Sequence, residues 1–202
     1  MNKEHHLSGK TILVTGGTGT FGRAFVAKML AINEVKKLIV LSRDEFKQFQ
    51  MRQEFPDERL NFFIGDIRDL SRLERAFNGV DIVVHAAALK QVPALEYNPL
   101  EAVKTNVIGT QNVIEAALNC NVDKVLFVSS DKAVEPVNLY GATKLCAERL
   151  VMSANSYRGA SGRTKFSVVR YGNVIGSRGS FIESIAKQAA TGVVTLTDDK
   201  MT

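Results

Sequence analysis

Short apolar runs alternate with longer amphipathic stretches along most of this chain. The first run, Thr11–Thr15, is almost continuously apolar, as is typical of a strand buried on both faces of a sheet. The same patterns predict strands at residues 37–41, 61–64, 81–85, 124–129 and 166–169. Helices are predicted at residues 21–31, 70–77, 100–118 and 140–155. A further helix is predicted to begin after an N-cap at Asp44 or Ser42 and to end near Pro56. This alternation predicts a doubly wound α/β fold, with a parallel sheet covered by helices on both faces.

Composition narrows the function classes without identifying one. The chain has 202 residues, 45% of them hydrophobic and 23% charged, and a net charge of +5 without a basic stripe. We therefore expect no nucleic-acid partner, and no membrane span, since no apolar run approaches the roughly 20 residues that a membrane helix needs. The first ten residues do not resemble a signal peptide, so a cytoplasmic location is expected. Cys120 and Cys146 are expected to be buried thiols and not a disulfide. No metal site is predicted.

A glycine-rich turn follows the first strand directly. Gly16, Gly19 and Gly22 have a G-x-x-G-x-x-G spacing between a predicted strand and a predicted helix. In such a turn one glycine reverses the chain, one lets backbone N–H groups approach a pyrophosphate, and one lets the helix pack closely on the strand. The helix N-terminus then faces the anion. The predicted dinucleotide-binding residues of this turn are Gly16, Thr18, Gly19, Thr20, Phe21 and Gly22.

The ends of the next strands predict the rest of the cofactor site. An acidic residue after the second strand favours NAD, whereas a basic one accommodates the 2′-phosphate of NADP. Here Ser42 takes the acidic position and Arg43 follows it, which favours NADP, although Asp44 leaves NAD open. Arg43 and Asp44 could also be only a solvated turn and a helix cap. The third and fourth strands end at residues that we add to the cofactor site: Asp66, Ile67, Ala86, Ala87 and Ala88.

Two pairs of residues predict the reaction centre. Tyr140 and Lys144 share one face of a helix, where a lysine ammonium would lower the pKa of the phenol and favour hydroxyl oxidation. Asp131 and Lys132 follow the fifth strand, and two additional proton-transfer groups indicate an elimination. An equally open alternative is that Asp131 and Lys132 only pair with each other and cap the loop.

Five segments of the chain form a recognisable set: AAALKQVP at 86–93, KTN at 104–106, SSDKA at 129–133, NLYGATK at 138–144 and RYGNVIGSRGS at 170–180. Together they resemble the inverting UDP-N-acetylglucosamine 4,6-dehydratases, polysaccharide biosynthesis enzymes of the extended short-chain dehydrogenase/reductase class that begin pseudaminic-acid biosynthesis. Ser130 stands where this family more often has threonine. Related membrane-anchored retaining dehydratases usually have methionine at the position of Tyr140, so the inverting branch is favoured.

The resemblance implies a role for each matching residue. Tyr140 and Lys144 would assist hydride transfer from C4 of the sugar to NADP, and Ser130 would supply a hydroxyl. Lys132 would remove the C5 proton and Asp131 would protonate the departing C6 hydroxyl. Lys90 and Asn173 would contact the UDP-sugar. Further cofactor contacts are expected from Lys90, Ser129, Tyr140, Lys144, Val174 and Arg178.

The resemblance also bears on domain organisation. Residues 1–180 are expected to form the NADP-binding Rossmann domain with the catalytic residues, and residues 181–202 the start of a substrate-binding region that is largely missing. A homo-oligomer is expected. Two alternatives stay open: a non-catalytic NADP-binding fragment, and a sugar-nucleotide 4-epimerase or reductase of the same fold.

Overall fold

The computed structural model describes residues 6–157 and 162–174, together with positions 185, 188–189 and 192–193. Six strands form one parallel sheet: β1 (Thr11–Thr15), β2 (Lys37–Ser42), β3 (Leu60–Ile64), β4 (Ile82–His85), β5 (Lys124–Val128) and β6 (Lys165–Val169). Their spatial order is β3-β2-β1-β4-β5-β6. The predicted doubly wound α/β fold is therefore confirmed, and all six strands lie where the apolar runs predict them.

The helices connect successive strands. They are α1 (Thr20–Leu30), α2 (Glu45–Glu54), α3 (Leu70–Phe77), α4 (Val92–Tyr97), α5 (Pro99–Ala102), α6 (Gly109–Asn119) and α7 (Leu139–Tyr157). A π-helical segment, Val103–Ile108, joins α5 to α6, and a 3-10 turn covers Asp131–Ala133. The predicted helix over 100–118 thus contains a π segment, which hydrophobic periodicity does not reveal. In the part of the chain that the structure describes, no helix has both the length and the apolar character needed to cross a membrane.

Side chains alternate between two hydrophobic cores, one on each face of the sheet. Leu13 of β1 belongs to the core that includes Val113 of α6 and Val151 of α7. Its neighbours Ile12 and Val14 belong to the opposite core, which includes Val26 of α1. Because both faces are covered, the sheet exposes its functional groups at the carboxyl ends of its strands.

The strand order reverses beside β1. The chain proceeds from β1 outward to β3, then returns to place β4 on the other side of β1 with Thr15 opposite His85. Ligands of open parallel sheets bind in the crevice at such a switch point, beyond the carboxyl ends of the strands. The glycine-rich turn after β1 and the alanines after β4 both lie at this point.

The chain divides into two compact units, residues 1–172 and 173–202. All the strands and helices given above belong to the first unit. The second contains Asn173, Val174 and the isolated described positions. The domain boundary at residue 180 stays a prediction, because residues 175–184 lie outside the described part.

The two cysteines are free thiols, as predicted, but they are not both buried. Cys120 is half-buried and its Sγ donates to the carbonyl of Glu74, 3.4 Å away. Cys146 is exposed on α7, so the prediction that it is buried was wrong. Its position within an amphipathic helix did not specify on which face it lies.

Candidate active site at the carboxyl edge of the sheet

The glycine-rich turn brings three parts of the backbone unusually close. Gly16 has a φ of +68°, a conformation that glycine adopts without strain, and a Cβ there would lie 2.9 Å from Cα of Ala87. A Cβ on Gly22 would overlap the backbone of Gly17, so only glycine lets α1 pack against the turn. Gly19 is the N-cap of α1 and provides no side-chain cap, which leaves the first N–H groups of the helix available to an anion.

The second strand ends in a cluster of opposite charges. Ser42 is buried and its Oγ accepts a hydrogen bond from Nε2 of Gln48, 3.0 Å away. The Arg43 side chain is half exposed, with Nη1 3.6 Å from Oδ2 of Asp66. Asp44 caps α2 by accepting from the backbone N–H of Lys47, and its other oxygen lies 2.5 Å from Lys47 Nζ. Asp44 therefore serves as the helix cap that was one of its two predicted roles.

Asp66 is held in its ionised form beside these groups. Burial alone would raise the pKa of its carboxyl group, but hydrogen bonds from Arg68 and the charge of Arg43 outweigh burial and lower it. Ile67 is buried and packs against Gly109 at the start of α6. The predicted cofactor residues after β2 and β3 thus lie together.

A chain of buried hydrogen bonds links the glycine-rich turn to α6. Nδ1 of His85 lies 2.7 Å from Oγ1 of Thr15, and Nε2 lies 3.1 Å from Oγ1 of Thr110. Because the Thr110 hydroxyl donates its only proton to the carbonyl of Asn106, Nε2 must be the protonated nitrogen of His85 and Nδ1 the acceptor. Burial lowers the pKa of His85 to about 3, and the charge of Lys144 adds to this effect, so the ring is neutral.

Asn106 extends this chain to α7. It lies in the π segment, where Oδ1 accepts from the N–H of Leu89 and Nδ2 donates to the carbonyl of the same residue. Nδ2 also donates to Oγ1 of Thr143, which in turn donates to the carbonyl of Tyr140. π segments often occur at functional sites because they reposition side chains within a helix. Sequence reasoning missed both Asn106 and His85 as site residues.

Thr15→Val is expected to lower the free energy of unfolding by about 2–3 kcal/mol, because it leaves buried polar groups unpaired in a site of unchanged shape. The hydroxyl of Thr15 pairs with His85 Nδ1 and accepts from the backbone N–H groups of Ala86 and Ala87, each 3.2 Å away. Urea unfolding measures the loss. Thr11→Val, at the other end of β1 and outside this network, is the control and should change stability far less; equal losses in the two variants would contradict the prediction.

Lys144 lies beneath the site and Tyr140 lies at its surface. Lys144 is 3% exposed; its Nζ donates to the carbonyl of Val128 at 2.8 Å and lies 4.0 Å from the centre of the Phe127 ring. Burial lowers the pKa of Lys144 to about 7, against the opposing charge of Glu148. Burial also raises the pKa of Tyr140, although a hydrogen bond with Ser130 acts in the other direction. The expectation that Lys144 lowers the pKa of Tyr140 was therefore wrong, because burial dominates both groups.

Asp131 and Lys132 form a close pair after β5. Oδ1 of Asp131 accepts from Oγ of Ser130 at 2.9 Å, from the N–H of Lys132 at 2.8 Å and from Nζ of Lys132 at 3.1 Å. Burial would raise the pKa of Asp131, but Ser130 and Lys132 outweigh it, and the net pKa is lowered. Ser130 also contacts Tyr140, so its hydroxyl connects the pair to the phenol. The structure brings together Ser130, Asp131, Lys132 and Tyr140.

The remaining predicted residues differ in how far the structure describes them. Ser129 is buried at the end of β5, and Lys90 is exposed beyond β4. Asn173 and Val174 belong to the second unit, and Arg178 lies outside the described residues. Their predicted roles stay predictions.

This architecture is shared with known proteins. The chain matches the polysaccharide biosynthesis protein family over residues 12–202. The chain belongs to that family. A protein named UDP-N-acetylglucosamine 4,6-dehydratase (inverting), from Campylobacter jejuni, is 49% identical over 96% of the chain and 59% of its own length. The sequence resemblance to these dehydratases is thereby confirmed.

Other relatives have different names. An uncharacterised membrane protein from Methanocaldococcus jannaschii is 55% identical, and a UDP-glucose 4-epimerase from Rickettsia conorii is 46% identical. Each match covers 96% of the chain and 58% of the relative. The chain therefore spans somewhat less than two thirds of the curated relatives that it matches.

Solved structures confirm the extended short-chain dehydrogenase/reductase fold. Pen from Bacillus thuringiensis superposes with a TM-score of 0.90 at 46% identity, over 95% of the chain and 59% of Pen. DesIV, a dTDP-glucose 4,6-dehydratase from Streptomyces venezuelae solved with NAD bound, gives a TM-score of 0.77 at 26% identity, over 90% of the chain and 62% of DesIV.

Proposed function

We propose that this chain is the cofactor-binding and catalytic part of an inverting UDP-N-acetylglucosamine 4,6-dehydratase. The observation that carries the proposal is the pairing of Asp131 with Lys132, 3.1 Å apart, beside a Ser130 hydroxyl that also contacts Tyr140. An oxidation or an epimerisation at C4 needs one proton-transfer group, whereas a dehydration also needs a base at C5 and an acid at the C6 hydroxyl. This site contains candidates for all three.

The carboxyl edge of the sheet fits a nicotinamide dinucleotide. The turn at Gly16 and Gly19 has no side chains to block a pyrophosphate, and the uncapped N-terminus of α1 points to the same place. Ala86–Ala88 leave room for a flat ring at the switch point. When bound, the cofactor supplies the acceptor for hydride from C4 and the donor of hydride to C6 within one turnover.

The proposed steps divide among four side chains. Tyr140 must first lose its own phenol proton, because its pKa is raised; as a phenolate it takes the proton of the C4 hydroxyl when C4 is oxidised, and Ser130 orients both oxygens. The C4 ketone acidifies the C5–H bond, whose proton Lys132 removes. The C6–O bond then breaks, and Asp131 protonates the departing hydroxide to give water. Solvent protonation of C5 from the opposite face, with the hydride that a bound cofactor would supply at C6, would complete a 4-keto-6-deoxy sugar with an inverted C5.

The resting protonation of the pair bears on this mechanism. The lowered pKa of Asp131 means that it begins as a carboxylate, whereas its proposed role requires the acid form. Lys132 Nζ donates to Asp131 Oδ1 at 3.1 Å, so the proton that Asp131 must gain before it acts as the acid has a path along this hydrogen bond.

Solvent deuterium tests the reaction. The chain is incubated with NADP and UDP-N-acetylglucosamine in D₂O, and the sugar nucleotide is followed by mass spectrometry. Loss of water with one deuterium at C5 is expected, and Lys132→Ala should abolish it. An epimerised sugar without loss of water would favour the 4-epimerase suggested by the Rickettsia relatives. Retained cofactor binding with no turnover would favour a non-catalytic fragment, the remaining alternative.

NADP is the proposed cofactor. Arg43 places a cation beside the end of β2, while Asp44 is occupied as the cap of α2 and as the partner of Lys47. Calorimetry should therefore show NADP binding at least tenfold more tightly than NAD, and Arg43→Ala should weaken NADP alone. Arg75→Ala, on the exposed face of α3, is the matched control. Equal affinity of the unaltered chain for the two dinucleotides would exclude the assignment.

We also propose a homo-oligomer. Leu100, Ile108 and Met152 are 61%, 51% and 52% exposed along the helices from α5 to α7, a pattern that favours burial against another copy. Light scattering of the purified chain tests this, and a monomer at micromolar concentration would contradict it. The cytoplasmic location and the pseudaminic-acid pathway stay predictions.

A further inference from the structure

A partly buried ion pair, Glu148 with Arg170, lies one helical turn beyond Lys144. Glu148 follows Lys144 by four residues on the same buried face of α7, and the two residues are 6% and 3% exposed. The guanidinium of Arg170, which follows β6, donates hydrogen bonds to both oxygens of the Glu148 carboxylate. Nε lies 2.8 Å from Oε1 and Nη2 lies 2.6 Å from Oε2. This two-point geometry fixes the carboxylate firmly, so its charge has a defined position relative to Lys144.

The other described groups that face Lys144 carry no negative charge that could stabilise its ammonium form. His85 of β4 is neutral, Tyr140 of α7 is a protonated phenol, and β5 presents the Phe127 ring and the Val128 carbonyl. Asp131 acts on Tyr140 from the loop after β5. Among the described residues, Glu148 is thus the carboxylate that acts on the buried Lys144 amine, and Arg170 lies behind it.

We propose that Glu148 is a positioning residue that favours the ammonium form of Lys144 against the effect of burial beneath the reaction centre, and that Arg170 sets how strongly Glu148 does so. An amine as buried as Lys144 loses its hydration, and a fixed carboxylate one turn away replaces part of that stabilisation. The Arg170 guanidinium keeps Glu148 ionised. Its positive charge also weakens the attraction between the Glu148 carboxylate and the Lys144 ammonium. The meaning of this control for catalysis rests on the proposed function, which assigns Lys144 to the reaction centre.

Titration of Lys144 by NMR tests the proposal directly. The full chain is labelled with ¹³C at lysine Cε, the Lys144 signal is assigned by its loss in Lys144→Met, and its shift is followed against pH. Glu148→Gln removes the carboxylate and leaves the Arg170 charge uncompensated. We expect it to reduce the protonation constant of Lys144 at least tenfold. The double variant Glu148→Gln/Arg170→Gln removes both charges and should give a smaller reduction.

The order of the three titrations decides the outcome. The unaltered chain should have the highest Lys144 pKa, the double variant an intermediate value and Glu148→Gln the lowest. A purely structural role predicts no shift, or equal shifts in both variants, and either result would overturn the proposal. If Glu148→Gln does not fold, the double variant alone remains decisive, because removing both charges of the pair leaves neither of them unpaired. The double variant must then titrate below the unaltered chain.

This measurement is independent of the reaction. It needs neither sugar nucleotide nor turnover, so failure of dehydration leaves the titration result unchanged. Conversely, a chain that dehydrates the sugar but shows no dependence of Lys144 on Glu148 would overturn only this inference.

Discussion

Replacing Gly22 by alanine is expected to prevent stable folding of the chain. The added methyl group would overlap Cα, C and O of Gly17, and all three are backbone atoms at the start of the first βα turn. Flexible side chains yield to a new neighbour, but this backbone is fixed by β1 and by the first turn of α1. We expect a loss of at least 4 kcal/mol in the free energy of unfolding, in the range of severe core substitutions.

Gly19→Ala is the matched control for Gly22→Ala. A Cβ at Gly19 would lie 3.2 Å from the carbonyl oxygen of Gly16, a contact that small shifts relieve. We therefore expect this variant to fold with a loss of about 1 kcal/mol or less, yet to bind NADP more weakly because the methyl group faces the pyrophosphate. Circular dichroism, urea unfolding and calorimetry separate the two effects. A Gly22→Ala chain as stable as Gly19→Ala would contradict the account of this turn.

Lys144→Met is expected to stabilise the fold while it abolishes turnover. The pKa of Lys144 falls from an ordinary value of 10.5 to about 7, so the unfolded chain binds this proton more tightly than the folded chain does. Between these two values the stability of the unaltered chain must rise with pH, and below pH 7 the buried ammonium opposes folding fully. Methionine removes this cost, which we estimate at about 2–4 kcal/mol near neutral pH.

The advantage of Lys144→Met should therefore shrink as pH rises from 7 to 10. Urea unfolding at several pH values measures the difference between variant and unaltered chain. Lys124→Met, at an exposed position on β5, is the control and should give only a small difference in stability. Turnover of Lys144→Met should fall by a factor of at least 100. A difference in stability that stays constant from pH 7 to 10 would show that Lys144 is not buried as a cation.

The sequence predicted the parts of this molecule that depend on local pattern. The apolar runs specify strands buried on both faces, and the spacing of Gly16 and Gly22 specifies a turn with close packing. Because parallel strands end at one edge, the residues after β2, β4 and β5 were expected to lie together, and Arg43, Ala86 and Ser130 all lie at that edge. These predictions needed only periodicity and connectivity.

Other features depend on contacts between residues far apart in the sequence. His85 pairs with Thr110 and Thr15 across two elements, and Asn106 takes part only because a π segment turns it toward Leu89. The pKa of Tyr140 was predicted in the wrong direction for the same reason. Helical spacing places Lys144 on the same face of α7 as Tyr140. The depth to which both side chains are buried follows instead from the packing of α7 on the sheet.

The most direct test of the proposed function follows one hydrogen atom. UDP-N-acetylglucosamine carrying deuterium at C4 is incubated with the chain and NADP, and the product is examined by NMR. The account predicts a 4-keto-6-deoxy sugar with the deuterium at C6, because hydride removed from C4 returns to C6 within the same site. Deuterium retained at C4 of an epimerised or unchanged sugar would contradict it.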